Sequence, residues 1–284
     1  MMRWMLILFL LKSASSDAAT VNTSLYILRD SIHFADGTSL PYATFNESNS
    51  FSATNARIVV NLGDQLDLWV VNFDSDPHEF RIQGETNTVS IPVGDSVQVV
   101  YNCNAEGVYI FHDPMNFPDN ASVGLSGMLI VKNSSHAGFY WNLKEHQEGN
   151  NAIVFAGSSP DWTTYYPAYF TINGKSAPSI NGDADARVVG NVNDTLYIYI
   201  ANTGQSIHSM HLHGYHATIV YSSKDPSHVG WSKDSMPIFP SETLVLELVP
   251  DKPGEYPVHD HNLIGTTGGG QYGQGMFTTL LIAP

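Results

Sequence analysis

The strongest constraint on this chain is that it repeats itself. The run Gly63-Asp64-Gln65-Leu66-Asp67-Leu68-Trp69-Val70-Val71-Asn72 matches Asn193-Asp194-Thr195-Leu196-Tyr197-Ile198-Tyr199-Ile200-Ala201-Asn202. Histidines (His78, His208) and glycines (Gly84, Gly214) follow in step at the same offset. Further on, Gly107-Val108-Tyr109-Ile110-Phe111-His112-Asp113 matches Gly254-Glu255-Tyr256-Pro257-Val258-His259-Asp260, with roughly 17 more residues between these anchors in the second half. The polar stretch Ser222 to Met236 carries that excess and reads as a loop.

The repeated unit is a succession of short runs rich in Val, Ile, Tyr and Thr, broken by Asn, Gly, Asp and Pro, with hardly any helical periodicity. The chain is therefore all-β. Strand, histidine loop, strand and a second histidine in each half imply two Greek-key β-sandwich domains, residues 20–135 and 136–284, each with a candidate site at one end. Residues 1–19 place Arg3 before an apolar run and then small residues, the pattern of a signal peptide. A secreted, extracellular protein (periplasmic in a bacterium) is expected. No other stretch approaches the length of a membrane span.

Six of the twelve histidines fall in two segments, His208-Ser-Met-His211-Leu-His213-Gly-Tyr-His216 and His259-Asp260-His261. Side chains two apart on a strand share a face, so His211 with His213 and His259 with His261 form two-nitrogen clamps. Two clamps on neighbouring strands suit copper or zinc. His33, His136, His146 and His228 lack such pairing and are expected at the surface. The single cysteine, Cys103, excludes an intramolecular disulfide and reads as a small buried hydrophobe. A net charge of -15 opposes binding to nucleic acid or anionic membrane. Gly268-Gly269-Gly270 reads as a flexible loop over the site, and Met276 as a core residue.

These segments resemble a known family. His208-Ser-Met-His211-Leu-His213-Gly is similar to the H-P-x-H-L-H-G motif of multicopper oxidases, and Tyr256-Pro-Val-His259-Asp260-His261 sits where that family has H-C-H. His261-Asn262-Leu263-Ile264 resembles the strand end that supplies a type 2 copper ligand in copper nitrite reductases. Over nearly the whole mature chain, the sequence resembles a two-domain cupredoxin protein of the multicopper oxidase and copper nitrite reductase superfamily. The resemblance implies copper as cofactor, His211, His213, His259 and His261 as type 2 or type 3 ligands, and His208 as a residue of a type 1 site. It implies His112 and His78 as further ligands from the first domain, and His216 as the catalytic histidine. Asp260 stands in the place of the type 1 cysteine, so no blue centre is expected; it reads instead as a proton-handling group beside His216.

The expected function is an extracellular oxidoreductase with a non-blue copper site acting on a small molecule or ion. The alternative is a non-catalytic copper-binding or structural cupredoxin module. The resemblance also implies a possible homotrimer, with His112 supplied by a neighbouring chain.

Overall fold

The computed structural model describes residues 18–284, so nearly all of the expected signal peptide lies outside the described residues. Each half is a pair of packed sheets. In the first, a four-stranded sheet runs in the order Ser39–Asn46, Thr20–His33, Gln65–Asn72, Ser96–Asn102. It faces a five-stranded sheet ordered Arg57–Asn61, Ser126–Lys132, Gly107–His112, His78–Ile82, Val89–Ile91. In the second half, Ala137–His146, Leu196–Asn202 and Thr243–Leu248 lie at the centre of an eight-stranded sheet. Its partner is a five-stranded sheet ordered Val189–Asn191, Phe277–Ala283, Gly254–Asp260, His208–Leu212, Ser235–Ile238.

The sequence repeat is a repeat of register. Val59 pairs in parallel with Ile130 in the first half, and Val189 pairs in parallel with Leu281 in the second. Alternating side chains fill each sandwich: Leu66, Leu68 and Val70 enter the first core, and Leu196, Ile198 and Ile200 the second. Cys103 is fully buried in the first core and Met276 in the second. The sandwiches join through a third apolar cluster, in which Val108, Ile110, Met128 and Ile130 of the first half meet Tyr199, Ala201 and Val245 of the second.

Three local features differ from the sequence reading. The Ser222 to Met236 stretch leads into Ser235–Ile238, an edge strand that pairs with His208–Leu212. The glycine-rich stretch is a small hairpin, with Thr267–Gly268 paired to Gln271–Tyr272, and Gly268 also bridges to Tyr169. The Gly269 amide donates to the Ala168 carbonyl at 2.9 Å, which fixes this segment to the sheet edge. His146 is buried against the rings of Tyr42 and Phe34, not at the surface. Burial, reinforced by the Lys144 charge, pushes its pKa down to about 3, so the ring is neutral.

Candidate metal centre

Strand alternation separates the histidines of the second half into two groups. Along His208–Leu212, His208, Met210 and Leu212 point into the sandwich while Ser209 and His211 point out. Along Gly254–Asp260, Val258 and Asp260 point in and His259 points out. Register puts His211 directly opposite His259, and Met210 opposite Asp260. The pairing continues past the strand ends, because the His213 amide donates to the Pro257 carbonyl (3.0 Å) and the His261 amide to the Ser209 carbonyl (2.7 Å).

The outer group is therefore His211, His213, His259 and His261. Ring centroids are 4.6 Å apart for His211 and His213, 5.1 Å for His213 and His259, 5.3 Å for His211 and His261, and 5.6 Å for His211 and His259. The His259 Nδ1–H donates to the Asp260 carbonyl at 2.9 Å. The His211 Nδ1–H is directed at the Asp234 carbonyl (3.2 Å), with the Ser235 hydroxyl at 2.8 Å. A carbonyl can only accept, so His259 carries its proton on Nδ1 and turns the Nε2 lone pair outward; the Asp234 carbonyl favours the same tautomer in His211, whose nearer partner, the Ser235 hydroxyl, can donate or accept. That is the arrangement in which metal-binding imidazoles are usually oriented.

Nε2 of His213 lies 3.0 Å from Nε2 of His259. Two nitrogens bound to one ion at ~2.0–2.1 Å lie roughly 2.9–3.4 Å apart for angles between square-planar and tetrahedral. Without a metal, His213 must donate to His259. Burial and the neighbouring histidines His211 and His259 all lower the His213 pKa, which disfavours a proton there and leaves a nitrogen available to a cation. Among the described residues no three His, Cys, Asp or Glu side chains already stand in a finished ligand geometry. The four rings fit copper in donor type and in the one nitrogen pair at ligand spacing, and His261 is exposed at the rim.

The inner group is a different chemistry. His208 is completely buried, with Nδ1 2.7 Å from Asp260 and Nε2 2.9 Å from Glu145. Burial alone would depress its pKa, but the hydrogen bonds and charges of the two carboxylates outweigh this and push it up to about 9. Burial would likewise raise Glu145, yet the hydrogen bond and charge of His208 hold it at about 2. Both ring nitrogens therefore carry protons bound to carboxylates, and His208 is not a metal ligand. Asp260 also accepts the amides of Ser209 (2.9 Å) and Asn262 (3.0 Å), on the face opposite the four outer imidazoles. The expected proton-handling role for Asp260 is thereby replaced by that of an internal counter-ion.

The first half repeats this triad. His78 Nδ1 lies 2.7 Å from Asp113 and Nε2 3.0 Å from Asp74. Asp113 accepts the amides of Glu79 and Met115, the repeat counterparts of Ser209 and Asn262. Against the cost of burial, its two carboxylates push His78 up to about 9, so it too is occupied and is not a ligand.

The remaining expected residues fall outside the cluster. His216 is exposed beyond the strand end and makes no ring contact with the four histidines. His112 lies in the joint between the sandwiches, with Nε2 3.3 Å from an Arg81 guanidinium nitrogen. Arginine can only donate, so Nε2 is spent as an acceptor and His112 does not present a metal-ligand lone pair there.

Three residues that the motifs do not mark complete these sites: Ser235 and Asp234, which orient His211, and Glu145. The sequence carries an indirect trace of the carboxylates. A Cβ on Gly265 would stand 2.2 Å from Asp260 Oδ2, and one on Gly204 would stand 1.9 Å from Glu145 Oε2. Glycine at these positions makes room for the acids.

Comparison with known proteins agrees with this architecture. Residues 157–283 match the multicopper oxidase family profile. A blue copper oxidase from Nitrosomonas europaea superposes with a TM-score of 0.78 at 21% identity, covering 93% of this chain and 86% of that one. The fold is that of multicopper oxidases and copper nitrite reductases. A copper nitrite reductase from Nitrosomonas europaea superposes at 0.73 with 16% identity, covering 93% of this chain and 94% of that one. A laccase from Botrytis aclada superposes at 0.69 with 15% identity over 94% of this chain and 53% of its own. No curated protein sequence matches the chain significantly. Within this cupredoxin architecture, the two inner triads occupy the positions where the motif comparison expects type 1 copper.

Proposed function

We propose that this protein is a copper-binding oxidoreductase whose metal is held by His211, His213, His259 and His261 on the outer face of the second sandwich, with no blue centre. The observation that carries this reading is the pair of outward imidazole clamps, two of whose rings are held at Nδ1 by backbone carbonyls, with the His259 Nε2 turned to the His213 Nε2 at 3.0 Å. Bound copper would supply one-electron redox chemistry at a position open to a small molecule or ion. His211 and His259 bind and are held in orientation by Asp234, Ser235 and the Asp260 carbonyl, while His213 and His261 close the donor set. Secretion is part of the proposal and rests on the sequence of residues 1–19.

Assembly of several copies is part of it too, supported by the internal repeat. In the joint, Val108, Ile110 and Ile130 cover Tyr199 and Val245. Two repeat counterparts of these residues are exposed, Leu281 for Ile130 on the second half and Trp69 for Tyr199 on the four-stranded sheet of the first, with Val189 and Val100 exposed on the same two sheets, while Val108, Ile110 and Val245 correspond to Glu255, Pro257 and Gln98. A cyclic homo-oligomer, a homotrimer in this proposal, would bury each pair and bring another chain beside the four histidines. Sedimentation equilibrium with and without Leu281→Glu tests this: the variant is expected to become monomeric, and a monomeric wild type would overturn it.

Calorimetric titration of the purified protein with Cu(II) tests the metal site. Tight uptake that is lost in His213→Ala/His259→Ala is expected. Undiminished uptake by that variant would refute the assignment.

A further inference from the structure

Between the two sandwiches lies a cavity of about 40 Å³. Its polar lining is His112, Gln83 and Ser126 from the first half, and Thr203, Gln205 and Ser241 from the second. The space equals that of a few water molecules. His112 is the repeat counterpart of His259, but its surroundings have changed sign.

Because Arg81 donates to Nε2, the His112 ring carries its proton on Nδ1. The ring is 9% exposed, and its Nδ1 is buried without any hydrogen-bond partner. A buried N–H without an acceptor is costly. The missing group is therefore an acceptor.

Its charge follows from the walls. Lys144 is fully buried, and its Nζ bonds only to the carbonyls of Ala121 (2.6 Å) and Thr203 (2.9 Å), two residues of the cavity wall. Among the described residues no carboxylate is in ion-pair distance of it, the adjacent Glu145 being paired with His208. Of the nearby acids, Asp113 is turned to His78 and Glu145 to His208. Arg81, bonded to the far side of the His112 ring, and Lys144, behind the Ala121 and Thr203 carbonyls, thus stand next to the cavity without lining it, and neither has an ion-pair partner among the described residues. Burial pushes Lys144 down to about 7 against the opposing pull of the Glu145 charge, and burial together with the Arg81 and Lys144 charges pushes His112 down to about 4. A water molecule would satisfy Nδ1–H but would not offset Lys144.

We propose that this interdomain cavity is a binding site for a small monovalent inorganic anion, of the size of chloride or nitrate, which accepts from the His112 Nδ1–H and lies in the field of Lys144 and Arg81. The anion cements the joint between the sandwiches. The proposal is independent of the copper site, and its test uses the metal-free protein so that halide binding to copper does not contribute.

Two measurements decide it. Crystals soaked in bromide should show an anomalous peak within hydrogen-bonding distance of His112 Nδ1. At constant ionic strength, replacing gluconate by chloride, bromide or nitrate at tenfold excess over Kd should raise the unfolding midpoint by roughly 3–5 °C. His112→Phe, which keeps the ring and removes the donor, should lose both the peak and the anion response. A cavity holding only water in bromide-soaked wild-type crystals, with equal midpoints in gluconate and chloride, would overturn the proposal without recourse to any variant.

Discussion

Replacing Asp260 by asparagine keeps the size of the side chain and removes one charge from the Glu145–His208–Asp260 triad. The shift of His208 from 6.5 to about 9 corresponds to roughly 3 kcal/mol of folding free energy. A ring whose pKa is higher in the folded state contributes this fully below its unfolded value near 6.5. The contribution is lost as pH rises through about 9. In Asp260→Asn, the carboxamide can accept from only one side, so the Ser209 and Asn262 amides can no longer both be served along with His208. Breaking a buried charged pair by removing one partner costs about 3–5 kcal/mol, and the retained carbonyl acceptor reduces this to about 2–4 kcal/mol at pH 6. At pH 10 the wild type has surrendered the proton as well, and the difference should shrink to about 1 kcal/mol. Urea unfolding of both proteins at pH 6, 8 and 10, followed by far-UV circular dichroism, measures it. A loss below about 0.5 kcal/mol at pH 6, or a loss unchanged at pH 10, would refute the account of His208 as a buried imidazolium.

Other outcomes follow from the same geometry. Gly265→Ala sets a methyl group against the Asp260 carboxylate and Gly204→Ala sets one against Glu145, so each should destabilise by about 2 kcal/mol or more in thermal unfolding, and each loss should shrink in the background of Asp260→Asn or Glu145→Gln respectively. Asp260→Cys should not by itself produce an intense blue band on copper addition, because Glu145 still holds His208 Nε2 and Gly265 offers no second imidazole. Ser235→Ala, which frees the His211 ring, should weaken copper binding about 10–100-fold in a competition titration while leaving stability within about 0.5 kcal/mol of wild type.

The sandwich pair was legible in the sequence because its determinants are local and periodic. Alternation of apolar residues fixes strand faces, and the repeat offsets fix which strands correspond. The same alternation places His211, His213, His259 and His261 on one face and His208 and Asp260 on the other, a distinction that the spacing contains although the motif resemblance groups all of them around copper. Glu145 was not legible. In the first half the second carboxylate comes from Asp74, whose repeat counterpart is Gly204, while Glu145 takes the strand position that corresponds to Arg29. Arg29 pairs with Asp74 at 2.7 Å, so the acid has moved from loop to strand and the cation has gone. Such an exchange conserves the triad in space and hides it in alignment. His146 was misread for a related reason: its burial is set by Tyr42 and Phe34 from the other half, which strand pattern cannot report. The Ser222 to Met236 insertion looked like a loop because its strand is an edge, short and polar at its start, yet it supplies the group that orients His211.

The most direct test of the central claim is electron paramagnetic resonance of the Cu(II)-loaded protein, read together with its visible spectrum. The account predicts a type 2 signal with hyperfine coupling to several imidazole nitrogens, altered by His213→Ala or His259→Ala and unaffected by His78→Gln, and no intense blue band. A blue band, a signal insensitive to His213 and His259, or the absence of bound copper would contradict it.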